Sequence, residues 1–125
     1  MIHVDTHVLV WLYAGESDRF PANVAAILDQ AVLLYSPAAR LELALLHEIG
    51  RITVSAPELL DDLAGRLGLR VAESSFERVA QVASTLSWTR DPFDRLIAAH
   101  ALADDLPLLT ADRRMLAGCG VARWE

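Results

Sequence analysis

Four carboxylates stand where a compact fold would otherwise hold apolar or neutral side chains: Asp5, Glu42, Asp94 and Asp112. Asp5 closes the apolar run Ile2-His3-Val4, and Asp112 follows Pro107-Leu108-Leu109-Thr110, so each is expected at the carboxyl end of a strand. Glu42 shares a helix face with Leu45, Leu46 and Ile49, and Asp94 shares one with Ile97, Ala98 and Ala101, the spacing that normally faces a core. An isolated buried carboxylate costs more than the marginal stability of a domain absorbs, so it must be paired, protonated or bound to a cation. Like charges gathered at one sheet edge raise one another's pKa, and a divalent cation relieves that repulsion. An all-oxygen donor set without cysteine or a histidine pair suits Mg2+ or Mn2+ rather than zinc. The chemistry such a centre serves is hydrolysis of a phosphodiester by activated water.

Plainer uses exist for each acid taken singly. Asp5 and Asp112 can cap the helices that follow them, Asp94 falls in a first turn where the helix dipole favours negative charge, and an arginine partner would neutralise Glu42. Asp91, ahead of Pro92, has the form of an N-cap and ranks second to Asp94 as a ligand. The net charge of −6 and pI near 5.1 count against a protein that coats nucleic acid with a basic surface. All 11 basic residues are arginines, and Arg90, Arg95, Arg113 and Arg114 flank two of the acids. Arginine forks grip phosphate, so Arg90, Arg95 and Arg113 are candidate substrate contacts on a locally basic rim.

The elements that must position these groups alternate along the chain as short apolar runs and helix-like stretches, the pattern of a parallel sheet with helices packed on its faces. Strands are expected at Ile2 to Asp5, Leu33 to Ser36, Leu69 to Ala72, Pro107 to Thr110 and Val121 to Arg123. Helices are expected at about 7 to 13, 21 to 30, 37 to 49, 56 to 66, 75 to 86, 92 to 104 and 112 to 117. The 125 residues, 54% hydrophobic, make one domain spanning 1–125. No apolar run reaches the ~20 residues that cross a bilayer and no signal peptide is visible, so a cytoplasmic location is expected. The single Cys119 has no disulfide or zinc partner. Val8, Leu9, Val10, Trp11, Leu12 and Tyr13 are apolar almost all round, more than one core-facing stripe requires, so part of this helix is expected to meet another chain.

Read together, Val4-Asp5-Thr6-His7-Val8-Leu9-Val10-Trp11, Ser36 with Glu42-Leu43-Ala44, Arg90-Asp91-Pro92-Phe93-Asp94-Arg95-Leu96-Ile97-Ala98-Ala99 and Leu109-Thr110-Ala111-Asp112 resemble a PIN domain of the VapC-type toxin class along the whole chain. The resemblance implies a PIN-like three-layer α/β sandwich with a mostly parallel sheet of about five strands. It implies a Mg2+- or Mn2+-dependent endoribonuclease toxin, acting on RNA such as tRNA and inhibited by a cognate antitoxin. By position, Asp5, Glu42 and Asp94 correspond to the family's core acids and Asp112 to the acid or amide after the threonine, with Thr6, Thr110 and Asp91 as neighbouring polar groups. Trp11, Val8 and Leu12 become the expected antitoxin contacts, and a homodimer within a toxin-antitoxin hetero-oligomer the expected assembly. The chain departs from the pattern where Arg113, Arg114 and Met115 replace a further acid that many relatives carry, which leaves the fourth ligand and a second metal open.

Two other readings compete. A receiver-type phosphoacceptor domain has similar length and an acidic Mg2+ pocket but needs a lysine, and this chain has none. A catalytically inactive PIN-like fold could serve only as a binding module. His3, His7, His47 and His100 share no spacing that suggests a metal site or triad, and no nucleophile elbow or phosphate loop is present.

Overall fold

A computed structural model describes all residues, 1–125. Five strands form one parallel sheet in the order β3-β2-β1-β4-β5: β1 (Ile2–Val4), β2 (Leu33–Tyr35), β3 (Arg70–Val71), β4 (Leu108–Leu109) and β5 (Ala122–Arg123). The connections are α1 (Thr6–Ala14) and α2 (Ala22–Gln30), α3 (Pro37–Glu48) and α4 (Ala56–Leu67), α5 (Phe76–Ala83) and α6 (Pro92–Asp104), and α7 (Arg113–Gly118). A 3-10 turn at Ser17–Arg19, which apolar periodicity does not signal, joins α1 to α2. This is the expected α/β sandwich, and no helix is long and apolar enough to cross a membrane.

Sequence-adjacent strands lie side by side from β1 to β3, and the chain then crosses back to place β4 on the other side of β1. The strand order therefore reverses at β1, and ligand crevices in open parallel sheets form beyond the strand ends at such a switch point. Strands β1 to β4 end one residue earlier than their apolar runs suggest, whereas β5 ends at Arg123 as expected. Asp5 and Ser36, read as strand residues, instead cap helices, with Asp5 Oδ1 accepting from Val8 N at 3.1 Å and Ser36 Oγ from Ala38 N at 3.2 Å.

Two expectations about helix faces are corrected. Val8 is fully buried in the domain's own core beside Leu9, so it is not available to an antitoxin, whereas Trp11 and Leu12 remain partly accessible. On α3 the core-facing residues are Ala39 and Leu43; Leu45 and Ile49, expected to share a buried face with Glu42, are 39% and 68% exposed. The Glu42 stripe borders the site crevice and then runs out to solvent. The Asp94 stripe does face inward, with Ile97, Ala98 and Ala101 all buried.

Candidate active site

Asp5 leaves the central strand and enters the core side of α1, where it is 5% exposed. Two donors fix it there. Val8 N–H donates to Oδ1 at 3.1 Å, and the fully buried Thr110 hydroxyl, from the end of β4, donates to Oδ2. The same Thr110 oxygen accepts from Asp112 N at 3.0 Å, so one hydroxyl orients both acids of the two neighbouring strand ends. Asp112 Oδ1 accepts from Met115 N at 3.0 Å and caps α7. Parallel β1–β4 pairing, with Val4 opposite Leu109, is what brings residues 5 and 110 together.

The other two acids arrive on helices. Asp91 caps α6 through Oδ1, which accepts from Phe93 N and Asp94 N at 2.8 and 3.1 Å, and so holds Asp94 in the first turn. Helix α3 packs against α6, which brings the half-buried Glu42 to the same edge. The proton affinities report the gathering. Burial pushes Asp5 up, against the Thr110 and Val8 hydrogen bonds and nearby His7, with Asp112 adding to the rise. Glu42 is raised by burial, with Thr6 and His7 opposing and Asp91 and Asp5 reinforcing. Asp94 is raised to about 6, first by burial and then by the charges of Asp91, Asp112, Glu42 and Asp5, with no opposing group. Acids separated by up to 107 positions, Asp5 to Asp112, thus lie in one field.

The donor chemistry fits a hard divalent cation: carboxylate oxygens, with raised proton affinities that a cation would reverse. The side chains are not yet in ligand positions, because no three acid, histidine or cysteine groups surround a single point. Asp5 and Asp112 line a recess of about 200 Å³ with Ala111, His7 and Trp11; Glu42 and Asp94 stand outside that lining. His7 is a residue that spacing did not mark. It follows Asp5-Thr6 directly, is exposed, and its charge lowers both Asp5 and Glu42. Its signal was its place in the first turn of the helix that Asp5 caps.

Among the candidate phosphate contacts, Arg90 and Arg113 are exposed and form no ion pair. Arg95 is committed differently: its Nε donates to the Thr89 carbonyl at 2.6 Å, bracing the turn before α6, which removes that edge of its fork from substrate.

Comparison with known proteins places the fold. Solved structures that share the fold include VapBC2 from Rickettsia felis bound to a DNA fragment from their promoter, with a TM-score of 0.71 and 18% identity over the whole of both chains. DNA-bound VapBC from Salmonella typhimurium follows at 0.63 and 17% identity, covering 99% of this chain and 96% of that one. FitAcB from Neisseria gonorrhoeae gives 0.59 and 20%, covering 100% and 97%. At these identities the likeness is one of fold, and no curated protein matches the sequence. The sequence model of the PIN domain matches residues 2–119, from β1 to just past α7, and on that match the chain belongs to the PIN domain family.

Proposed function

We propose that this PIN domain is a Mg2+- or Mn2+-dependent endoribonuclease, the toxin of a toxin-antitoxin pair, hydrolysing RNA such as tRNA and inhibited by a cognate antitoxin. One observation carries the reading: the buried Asp5, fixed by Thr110 and Val8, lies in the field of Glu42, Asp94 and Asp112 at the switch point of the sheet. Asp5, Glu42, Asp94 and Asp112 would hold the cation directly or through water. The bound cation supplies polarisation of the phosphate and a lowered pKa for water. The chain's own part is positional. Thr110 presets the Asp5 carboxylate, Asp91 sets the first turn that carries Asp94, and exposed Arg90 and Arg113 draw the phosphates to the rim. Water attacks the phosphorus and the 3′-oxygen leaves, giving a 3′-hydroxyl and a 5′-phosphate.

The solved relatives that share the fold are found as VapBC and FitAB assemblies, which supports an antitoxin partner for this chain. Trp11 and Leu12 would meet it, and the exposed apolar row Leu41, Leu45 and Ile49 on α3 offers a second face for a homodimer within a hetero-oligomer. Incubating the protein with RNA and Mg2+ or Mn2+ tests the activity: cleavage that chelation stops and Asp5→Asn abolishes is expected. RNA left intact by folded wild-type protein in either metal refutes it. A second reading, a catalytically inactive binding module, is favoured by the absence of three gathered ligands. It predicts no metal-dependent cleavage and no rise of melting temperature with either cation.

A further inference from the structure

Trp11 is the one large aromatic on α1 that does not join the hydrophobic core. Its neighbours Val10, Leu12 and Tyr13 pack against that core, whereas the Trp11 ring, four residues after His7 and on the same helix face, lines the recess of Asp5 and Asp112. The ring is braced from behind. Phe20 and Trp124 meet it edge-on at centroid distances of 6.3 and 6.2 Å and touch each other at 6.1 Å, while the exposed Arg19 guanidinium sits 4.9 Å from its centroid. His7, 6.3 Å away and tilted by 51°, completes the outer wall. A rigid indole beside paired carboxylates is poor for packing and well suited to a flat partner, since every nucleobase offers a π face.

Resting on the nuclease reading, we propose that Trp11, flanked by His7, stacks an unpaired nucleobase next to the phosphate placed at the Asp5 site. A paired base is already stacked between its neighbours and cannot lie on the ring.

The test uses Asp5→Asn protein, which keeps RNA uncut, and three probes: a short RNA of mixed non-pairing sequence, an abasic strand with the same number of phosphates, and the corresponding duplex. Adding Trp11→Ala is expected to weaken binding of the unpaired RNA by on the order of tenfold to a hundredfold, the usual loss for one stacked base. Binding of the abasic strand and the duplex is expected to stay as it was, and Trp11→Phe to restore most of the loss. In otherwise wild-type protein the same change should raise KM with kcat nearly kept. Equal weakening on all three probes, or none on the unpaired RNA, overturns the proposal, and so does loss of antitoxin binding with RNA binding unchanged, which leaves Trp11 only the protein contact proposed above. If wild-type protein cuts RNA while Trp11→Ala changes neither binding nor KM, stacking falls and the nuclease stands. If wild type neither cuts nor binds RNA, both fall.

Discussion

Asp5, Asp91 and Asp112 each cap a helix and each belong to the acidic field, so capping does not remove an acid from the proposed site. An N-cap carboxylate uses one oxygen on the backbone and leaves lone pairs pointing past the helix end, which is where a strand-end crevice lies. Glu42 and Asp94 have no capping task, and Asp94 has no neutralising neighbour. Its carboxyl is raised to about 6 from an ordinary 3.8, so the folded state favours the protonated form. The stabilisation is whole below pH 3.8 and is lost as pH rises through about 6, which makes the metal-free protein less stable at neutral pH. Asp94→Asn should therefore raise the metal-free melting temperature at pH 7.5 and flatten its fall between pH 4 and 7; a lower value than wild type at pH 7.5 would show that the carboxylate has a partner. Thr110→Val tests the other side of the site. It removes the donor to Asp5 and the acceptor for Asp112 N, which should cost about 1–3 kcal/mol. The rise in melting temperature with Mg2+ should shrink as well, with Thr110→Ser restoring both. A valine variant that keeps the full metal response would exclude the hydroxyl as the group that presets Asp5.

The elements themselves were legible in the sequence because each carries its own period and its own punctuation. Apolar runs ending at Asp5, Ser36 and Thr110 marked strands, and Asp91-Pro92 marked the start of α6. Faces were less legible where a helix touches two things at once. The α3 stripe from Glu42 read as core, yet Ala39 and Leu43 take that role and Leu45 and Ile49 face outward. A polar clamp was also missed: His3 Nε2 on β1 meets Asp104 Oδ2 at the end of α6 at 2.7 Å, and Ser74, ahead of α5, donates to the other Asp104 oxygen. Partners 101 positions apart leave no mark on local periodicity, and a histidine in an apolar strand reads only as an exception. Glycines sort by surroundings in the same way. A Cβ on Gly118, at the end of α7, would lie 2.4 Å from Trp88 Cγ, whereas one on Gly65, inside α4, meets nothing within 4 Å. Thermal denaturation should find Gly118→Ala destabilising by about 1–3 kcal/mol as Trp88 is displaced. Gly65→Ala should stabilise by about 0.5–1 kcal/mol through helix propensity. Equal effects from the two would mean that Trp88 swings aside freely.

At the scale of the molecule, the reversal of strand order at β1 brings residues from distant parts of the chain together: it sets β4 beside β1 and so Thr110 and Asp112 beside Asp5. Two-fold periodicity says that a run is a strand and nothing about its neighbours, so this step was open to the family resemblance and to the logic of buried charge, not to pattern alone. The same scale governs how an acidic protein approaches a polyanion. With a net charge of −6, attraction cannot be general, and on the proposed nuclease reading it comes from the arginines near the crevice, of which Arg90, Arg113 and Arg114 are exposed. Each phosphate neutralised on a single strand contributes about 0.7 to the slope of log affinity against log salt, so three contacts give a slope of about −2. Binding of unpaired RNA to the Asp5→Asn protein across a salt series measures it. A slope near zero would mean that the arginine rim does not touch phosphate, and a slope as steep as about −7 would demand some ten phosphate contacts. A chain with 11 arginines, two of them already paired with Glu16 and Asp62 and a third tied to Thr89, has too few near the crevice to make that many. The shallow slope is therefore the outcome that fits recognition through a few phosphates and one stacked base, and a steep one would move the RNA path to a different face of the sheet.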